Sequence, residues 1–138
     1  MGWLHMSDTI RLEKDYKHAI ETVWQAISNE TAISKWFIKA HFKAEVGFLY
    51  TFTHDSTVIN GQVKQVEPPH LLVYTWIVGN PDVETVVSWR LQQIESGTRL
   101  TLEHSGIAEY GDSAANFFNN FKNGWKHCME ELELYLHA

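Results

Sequence analysis

The fold is decided by one stretch in the last third of the chain, Gly97-Thr98-Arg99-Leu100-Thr101-Leu102-Glu103-His104-Ser105-Gly106. Successive residues of an extended chain point to opposite faces, so Leu100, Leu102 and His104 share one face. An apolar face of this kind is the one that packs on a core. The stretch therefore predicts a strand that ends on an inward-facing histidine.

A long helix is predicted soon after this strand, over residues 114–136. Phe117, Phe121 and Trp125 recur at helical spacing and fall on one face, and Asp112-Ser113 can cap the N-terminus. A helix with such bulky side chains, laid over a curved sheet, can leave a hollow between the two layers. This pattern favours a container for a small molecule over a surface-binding module.

The rest of the chain supplies the other layer. Residues 19–28 have helical spacing, and a second short helix that Asn29 can cap holds Trp36 and Phe37. Strands with period-two alternation and short turns are predicted at 9–16, 41–45, 48–54, 58–66, 71–78 and 83–94. The order is one strand, two helices, six strands and a long helix, which predicts an α+β fold with the last helix on a bent antiparallel sheet.

The composition describes a globular chain with an acidic balance. Hydrophobic residues make up 44% of the 138 residues and charged residues 20%, as in packed domains rather than disordered chains. The formal net charge of -6 argues against nucleic acid or an anionic membrane as a partner. No apolar run approaches the roughly 18 residues of a membrane-spanning helix.

The length predicts one domain. Met1 to His5 do not continue the pattern that follows, and Met6 offers a second start. We therefore interpret residues 1–5 as an added or disordered segment and residues 6–138 as the domain. The N-terminus lacks the regions of a signal peptide, and the single cysteine, Cys128, excludes an intrachain disulfide, so we expect a cytoplasmic protein.

Several short motifs resemble, in their order and spacing, those of a known family. Ala19–Ile27 is similar to its first helix and Trp36-Phe37 to its second. The other matching motifs are Glu45–Phe48, Gly61–Val63, Pro68–Leu72, Gly97-Thr98, His104–Gly106 and Gly124-Trp125. On these residues the chain resembles the helix-grip domains of the START-like (SRPBCC) superfamily, within the group related to the C-terminal domain of the activator of heat-shock protein 90 ATPase.

The resemblance implies a fold and a general function. It implies a curved antiparallel sheet wrapped around a long C-terminal helix, with two short helices after the first strand. It also implies a deep, mostly apolar cavity under that helix, where members bind lipids, polyketides or other hydrophobic molecules and a minority catalyse cyclisation or hydrolysis. One departure is Phe48, which stands where the family usually has a second glycine and would narrow the cavity mouth.

We predict that aromatic side chains hold the ligand, because rings offer large apolar area with few rotatable bonds. Ordinary core packing would use the same residues, and the sequence leaves both interpretations open. His104, with His54 or Tyr110, would supply polar anchors. The predicted lining residues are Trp36, Phe37, Phe52, Tyr74, Trp76, Trp89, Phe117 and Phe121.

His104 is also the one candidate for catalysis. An inward histidine can act as acid or base on a polyketide-like or ester substrate. The alternative, which we prefer, is a buried histidine whose ring is satisfied by a backbone group. Glu103 and Ser105 cannot assist it, because neighbouring strand residues face opposite ways. We therefore expect a noncatalytic binding protein, with an enzyme as the second hypothesis.

The sequence offers little support for other cofactors or partners. Its eight histidines include no His-x-x-x-His motif and there is no Cys-x-x-Cys, so we expect neither a metal nor a cofactor. A co-chaperone that stimulates a chaperone ATPase is the weakest hypothesis, because the family's co-chaperone has a further N-terminal domain that this sequence does not show. A homodimer is compatible with the sequence, but no interface stripe is readable.

Overall fold

The computed structural model describes residues 8–79 and 82–137. Its strands are β1 (Ile10–Tyr16), β2 (Lys39–His41), β3 (Leu49–His54), β4 (Thr57–Glu67), β5 (Leu71–Val78), β6 (Glu84–Ile94) and β7 (Gly97–Ser105). Its helices are α1 (Ile20–Ser28), α2 (Glu30–Trp36) and α3 (Ala114–His137), with a 3-10 segment at Ile107–Ser113. The element order confirms the predicted α+β helix-grip architecture.

All seven strands form one antiparallel sheet, in the order β1-β7-β6-β5-β4-β3-β2. From β2 to β7 each strand pairs with its neighbour in sequence, as expected for short turns. The first strand pairs instead with β7 at the far edge, with Ile10 opposite His104. Helices α1 and α2 carry the chain between the two edges of the sheet.

Helix α3 packs its aromatic stripe on the sheet. The ring of Trp125 lies 5.1 Å from that of Trp76 and 5.7 Å from that of Trp89. Further along the helix, the Met129 carbonyl accepts a hydrogen bond of 2.8 Å from the Tyr16 hydroxyl of β1. Burying each large apolar side chain contributes about 1.5–3 kcal/mol, so this stripe is what fixes the helix to the sheet.

One predicted strand is shifted. The strand expected at 41–45 is the shorter β2, which ends at His41. The chain leaves the sheet edge there, because the backbone N–H of Phe42 donates to Glu30 Oε1 of α2 at 2.9 Å and the Phe42 ring is buried. The 3-10 segment before α3 was not predicted.

One local prediction is confirmed, and one glycine has a clear structural role. Asn29 caps α2, with its Oδ1 accepting from the Ala32 N–H at 3.1 Å. Gly61 lies at a close approach of two strands, since a Cβ added there would stand 2.1 Å from the carbonyl oxygen of Thr75. The interpretation of residues 1–5 concerns a segment outside the described residues. Within the described ranges, no helix is both long and apolar enough to cross a membrane.

Candidate functional site

An apolar pocket of about 150 Å³ lies between α3, the end of α2 and strands β4 and β5. Its lining residues are aliphatic, aromatic or glycine except for one amide side chain. The lining residues are Phe37, Ile38, Ile59, Trp76, Asn120, Phe121, Gly124 and Trp125. An apolar cavity of about this volume admits a molecule the size of benzene.

Local structure explains how the aromatic residues come to this pocket. Phe37 is the C-cap of α2, and its ring packs 5.8 Å from those of Phe52 and Trp125. Trp76 occupies a buried position of β5. Phe121 and Trp125 are one helical turn apart on α3, as the sequence spacing predicts. Three of the predicted lining residues, Phe37, Trp76 and Phe121, are thus brought together.

Trp76 lines the pocket and also carries an unpaired hydrogen-bond donor. Its side chain is almost fully buried, and its Nε1 has no hydrogen-bond partner among the described residues. A buried N–H without an acceptor costs about 1–3 kcal/mol. A ligand oxygen that reached this N–H would remove that cost, so Trp76 can orient a ligand as well as contact it.

Phe52, Tyr74 and Trp89 pack against other rings and do not line this pocket. The Phe52 ring lies 4.7 Å from that of Tyr50 and 5.9 Å from that of Phe42. The indole N–H of Trp89 donates to the Tyr74 hydroxyl oxygen at 2.8 Å. All three rings are buried, and here they form core.

Trp36, also predicted to line the site, borders a second pocket. This pocket has a volume of about 160 Å³. It is lined by Trp36, Phe37, Gly124, His127, Cys128 and Glu131. The indole N–H of Trp36 is already used, since it donates to the Ala26 carbonyl at 2.8 Å.

Tyr110 and Phe117 form a stacked pair near the start of α3. Their ring centroids are 3.8 Å apart, and Phe117 lies 5.8 Å from Phe121 of the pocket wall. The Tyr110 hydroxyl is buried and finds no partner in residues 8–79 and 82–137, and burial raises its pKa. The pair extends the aromatic surface beyond the pocket wall rather than lining it.

His54 lies away from this site. Its side chain is 77% exposed, and its Nε2 is 3.6 Å from Asp55 Oδ2. Three strands separate β3 from β7, so His54 cannot act as a polar anchor together with His104. His54 is two residues after Phe52 and so has the same parity in β3. It is, however, the last residue of that strand, and its side chain is exposed whereas Phe52 is buried.

His104 is fully buried and both of its ring nitrogens are used. Nδ1 accepts from the indole Nε1–H of Trp125 at 3.0 Å. Nε2 lies 2.7 Å from the Thr85 hydroxyl oxygen, and that hydroxyl donates to the Trp76 carbonyl at 3.2 Å. Because the indole can only donate, Nδ1 carries no proton, and the neutral ring donates from Nε2 to Thr85.

Burial lowers the pKa of His104 to about 4. The ring is therefore neutral at physiological pH and has no free nitrogen with which to move a substrate proton. The preferred interpretation of a satisfied histidine fits this geometry, although the partners are side chains of Thr85 and Trp125 and not a backbone group.

Besides Trp125, which the sequence places on the aromatic face of the last helix, four lining residues were not predicted: Ile38, Ile59, Asn120 and Gly124. Ile59 could have been predicted, because the two-residue period of β4 places its side chain on the inward face of the sheet. Gly124 carried a different signal. A glycine inside a predicted helix is locally unfavourable by about 1 kcal/mol and calls for a reason. Asn120 lies one turn before it, and nothing in its residue type marks a pocket wall.

Comparison with known proteins places the chain in a family. A family model described as Activator of Hsp90 ATPase homolog 1-like protein matches residues 17–137. Among solved structures, the chain is similar to protein MLL2253 from Mesorhizobium loti, with 30% identity, a TM-score of 0.87 and coverage of 94% of this chain and 96% of that chain. No curated protein matches.

Two further structures share the fold at lower identity. DynU16, a protein of the dynemicin biosynthetic locus, has 23% identity and a TM-score of 0.84 over 95% of this chain and 48% of its own. CalU16 from Micromonospora echinospora has 23% identity and a TM-score of 0.77 over 93% of this chain and 75% of that chain. Since the family model spans most of the sequence, the chain belongs to the family of Activator of Hsp90 ATPase homolog 1-like proteins, with their helix-grip fold.

Proposed function

We propose that this protein binds a small apolar molecule, without chemical conversion, in the pocket under α3. The observation that carries the proposal is the combination of an apolar wall with the unpaired indole N–H of Trp76. Apolar pockets that contain a few fixed polar groups are the usual form of small-molecule sites. We expect the protein to meet this ligand in the cytoplasm, the compartment that its single cysteine favours.

The pocket volume limits the ligand. A one-ring molecule would bury about 200 Å² of apolar surface, which at about 25 cal/mol per Å² gives about 5 kcal/mol. This corresponds to a dissociation constant of about 0.2 mM before the hydrogen bond to Trp76 is added. The ligand we propose is therefore a single ring or a short branched chain that carries an oxygen acceptor.

The comparisons are compatible with a ligand-binding role. DynU16 is a protein of a biosynthetic locus, a setting in which small molecules are made. The enzyme hypothesis loses its one candidate residue, because His104 is neutral and both its nitrogens are engaged. For stimulation of a chaperone ATPase, the family description is the one supporting observation, and no feature of the site favours it.

Titration with para-methylphenol and with toluene tests the proposal. Both molecules have one ring, but only the phenol offers an oxygen to Trp76. We expect the phenol to bind with a submillimolar dissociation constant in calorimetry, and Trp76→Phe to weaken it about fivefold to tenfold by loss of one hydrogen bond. Toluene should lose less affinity than the phenol, because Trp76→Phe keeps an apolar ring in the wall and toluene has no hydrogen bond to lose.

Phe48→Ala is the matched control. Phe48 is a half-buried ring that contacts His41 away from the pocket, so its truncation should leave both affinities unchanged. Absence of saturable binding by either molecule in the wild-type protein would overturn the proposed function. Equal weakening of phenol and toluene binding by Trp76→Phe would contradict the proposed hydrogen bond between the ligand and Trp76.

A further inference from the structure

Two pockets lie side by side under α3 and share two residues. The first, of about 150 Å³, is the candidate site against the sheet and is called here the sheet-side lobe. The second, of about 160 Å³, lies between α2 and α3 and is called the helix-side lobe. Phe37 and Gly124 line both. Two shared lining residues indicate one groove that is divided in two.

Phe37 stands at the division. Its ring lies 5.3 Å from Trp36, which lines the helix-side lobe, and 5.8 Å from Trp125, which lines the sheet-side lobe. A third ring, Phe52, packs edge-on to it at 5.8 Å. A side chain held by three rings is a fixed wall rather than a freely moving gate.

Gly124 is a solvent-exposed residue that lines both lobes. It lies inside α3, where glycine is less favourable than alanine by about 0.5–1 kcal/mol. Close packing does not require it, because a Cβ built at this position meets no atom within 4 Å in the described part of the chain. Because Gly124 lines both lobes, a side chain at this position would stand at the edge where they adjoin.

We propose that Phe37 determines the size of the ligand by dividing one groove into two lobes, so that the native ligand fills the sheet-side lobe alone. This inference rests on the proposed function and adds the size limit. With the wall removed, a longer ligand would extend past Gly124 into the helix-side lobe, toward the buried thiol of Cys128 and the rim residues His127 and Glu131.

A series of para-alkylphenols, from methyl to heptyl, measures the length limit. In the wild-type protein we expect affinity to rise roughly fourfold per added methylene while the sheet-side lobe fills, and to level off by the propyl member. In Phe37→Ala the rise should continue through the longer members. The heptyl phenol should then bind at least tenfold more tightly to the variant than to the wild-type protein.

Three further variants serve as controls for the Phe37→Ala experiment. Phe37→Leu keeps an apolar side chain at this position, and should extend the rise by one or two members if Phe37→Ala does not fold. Gly124→Leu places a large side chain at the edge that both lobes share and should weaken binding of the whole series. Phe48→Ala removes an equally large ring away from the lobes and should keep the wild-type profile.

The position of the bound chain gives a second readout. In nuclear magnetic resonance spectra, longer phenols should shift the amide signal of Cys128 in Phe37→Ala, but not in the wild-type protein. Identical length profiles for the wild type and both Phe37 variants would overturn the size limit while leaving the proposed function standing. Absence of binding by every member to every protein would overturn both.

Discussion

The indole N–H of Trp125 donates to Nδ1 of His104 at 3.0 Å, and this bond joins α3 to β7 inside the core. Both residues are almost completely buried. Directed donors and acceptors in a low-dielectric interior allow few alternative arrangements, because a misplaced partner leaves an unpaired polar atom. The bond therefore helps to fix where the aromatic face of α3 sits over the sheet, and with it the shape of the candidate site.

Acidification should weaken the fold through His104. Burial lowers the pKa of His104 to about 4, against about 6.5 for histidine in an unfolded chain. Between these values the unfolded chain binds a proton that the folded chain does not, so the free energy of unfolding should fall as the pH drops from about 6.5 to about 4. The full loss is about 3 kcal/mol, and above pH 6.5 this group contributes no slope.

Two measurements check this prediction. Denaturant unfolding across the pH window gives the slope. Nuclear magnetic resonance of the histidine ring signals isolates His104, which should stay neutral down to about pH 5. A His104 ring that titrated with a midpoint near 6.5 would contradict both the low pKa and the assigned hydrogen bonds.

Thr85→Val should destabilise the fold although the side chain keeps its shape. The Thr85 hydroxyl lies 2.7 Å from His104 Nε2 and donates to the Trp76 carbonyl at 3.2 Å. Valine leaves the Nε2–H buried without a partner, which should lower the free energy of unfolding by about 1–3 kcal/mol. The control is Thr51→Val, at a half-buried position on the face of β3 that points away from the core. It should change the free energy of unfolding by less than about 0.5 kcal/mol. Equal effects would mean that the Thr85 hydroxyl is not needed.

Much of the fold could be predicted from the sequence because its signals are local. The alternation that places Leu100, Leu102 and His104 on one face is a property of the strand itself, and the structure has all three buried. The helical spacing that places Phe121 and Trp125 on one face of α3 is likewise a local property of the sequence. Strand existence and order follow from such periods and from short turns, without knowledge of distant contacts.

The site was harder to predict because it depends on distant contacts. Thr85 meets His104 only through the register that sets Val87 opposite His104, and no local pattern fixes that register. Whether rings such as Phe52 and Tyr74 line a cavity or fill it depends on how they interlock. Sequence spacing gives the face on which a ring lies, but not the volume that remains.

Gly61→Ala should be strongly destabilising. An added Cβ would lie 2.1 Å from the Thr75 carbonyl oxygen and 2.9 Å from its Oγ1, so β4 and β5 would have to separate. The Tyr50 hydroxyl also donates to that carbonyl, at 2.5 Å. We expect a loss of about 3 kcal/mol in the free energy of unfolding, the upper range for overpacking.

The control for Gly61 is Gly79→Ala, at the end of β5. There an added Cβ meets no atom within 4 Å in the described residues, so the free energy of unfolding should change little. Chemical unfolding of the two variants gives the comparison. A Gly61→Ala protein as stable as the wild type would show that the two strands are further apart than the structure has them.

Gly124→Ala should move stability and binding in opposite directions. Alanine is a better helix former than glycine by about 1 kcal/mol, and its Cβ meets no described atom within 4 Å, so the melting temperature should rise by about 4 °C. The same methyl group would occupy part of the space that both lobes share, so para-methylphenol should bind more weakly. Asn123→Ala, the exposed neighbour on α3, should raise stability without any change in binding. If Gly124→Ala raised the melting temperature and left the affinity intact, the glycine would not serve the pocket; a rise with weaker binding would show that this position gives up helix stability for open space.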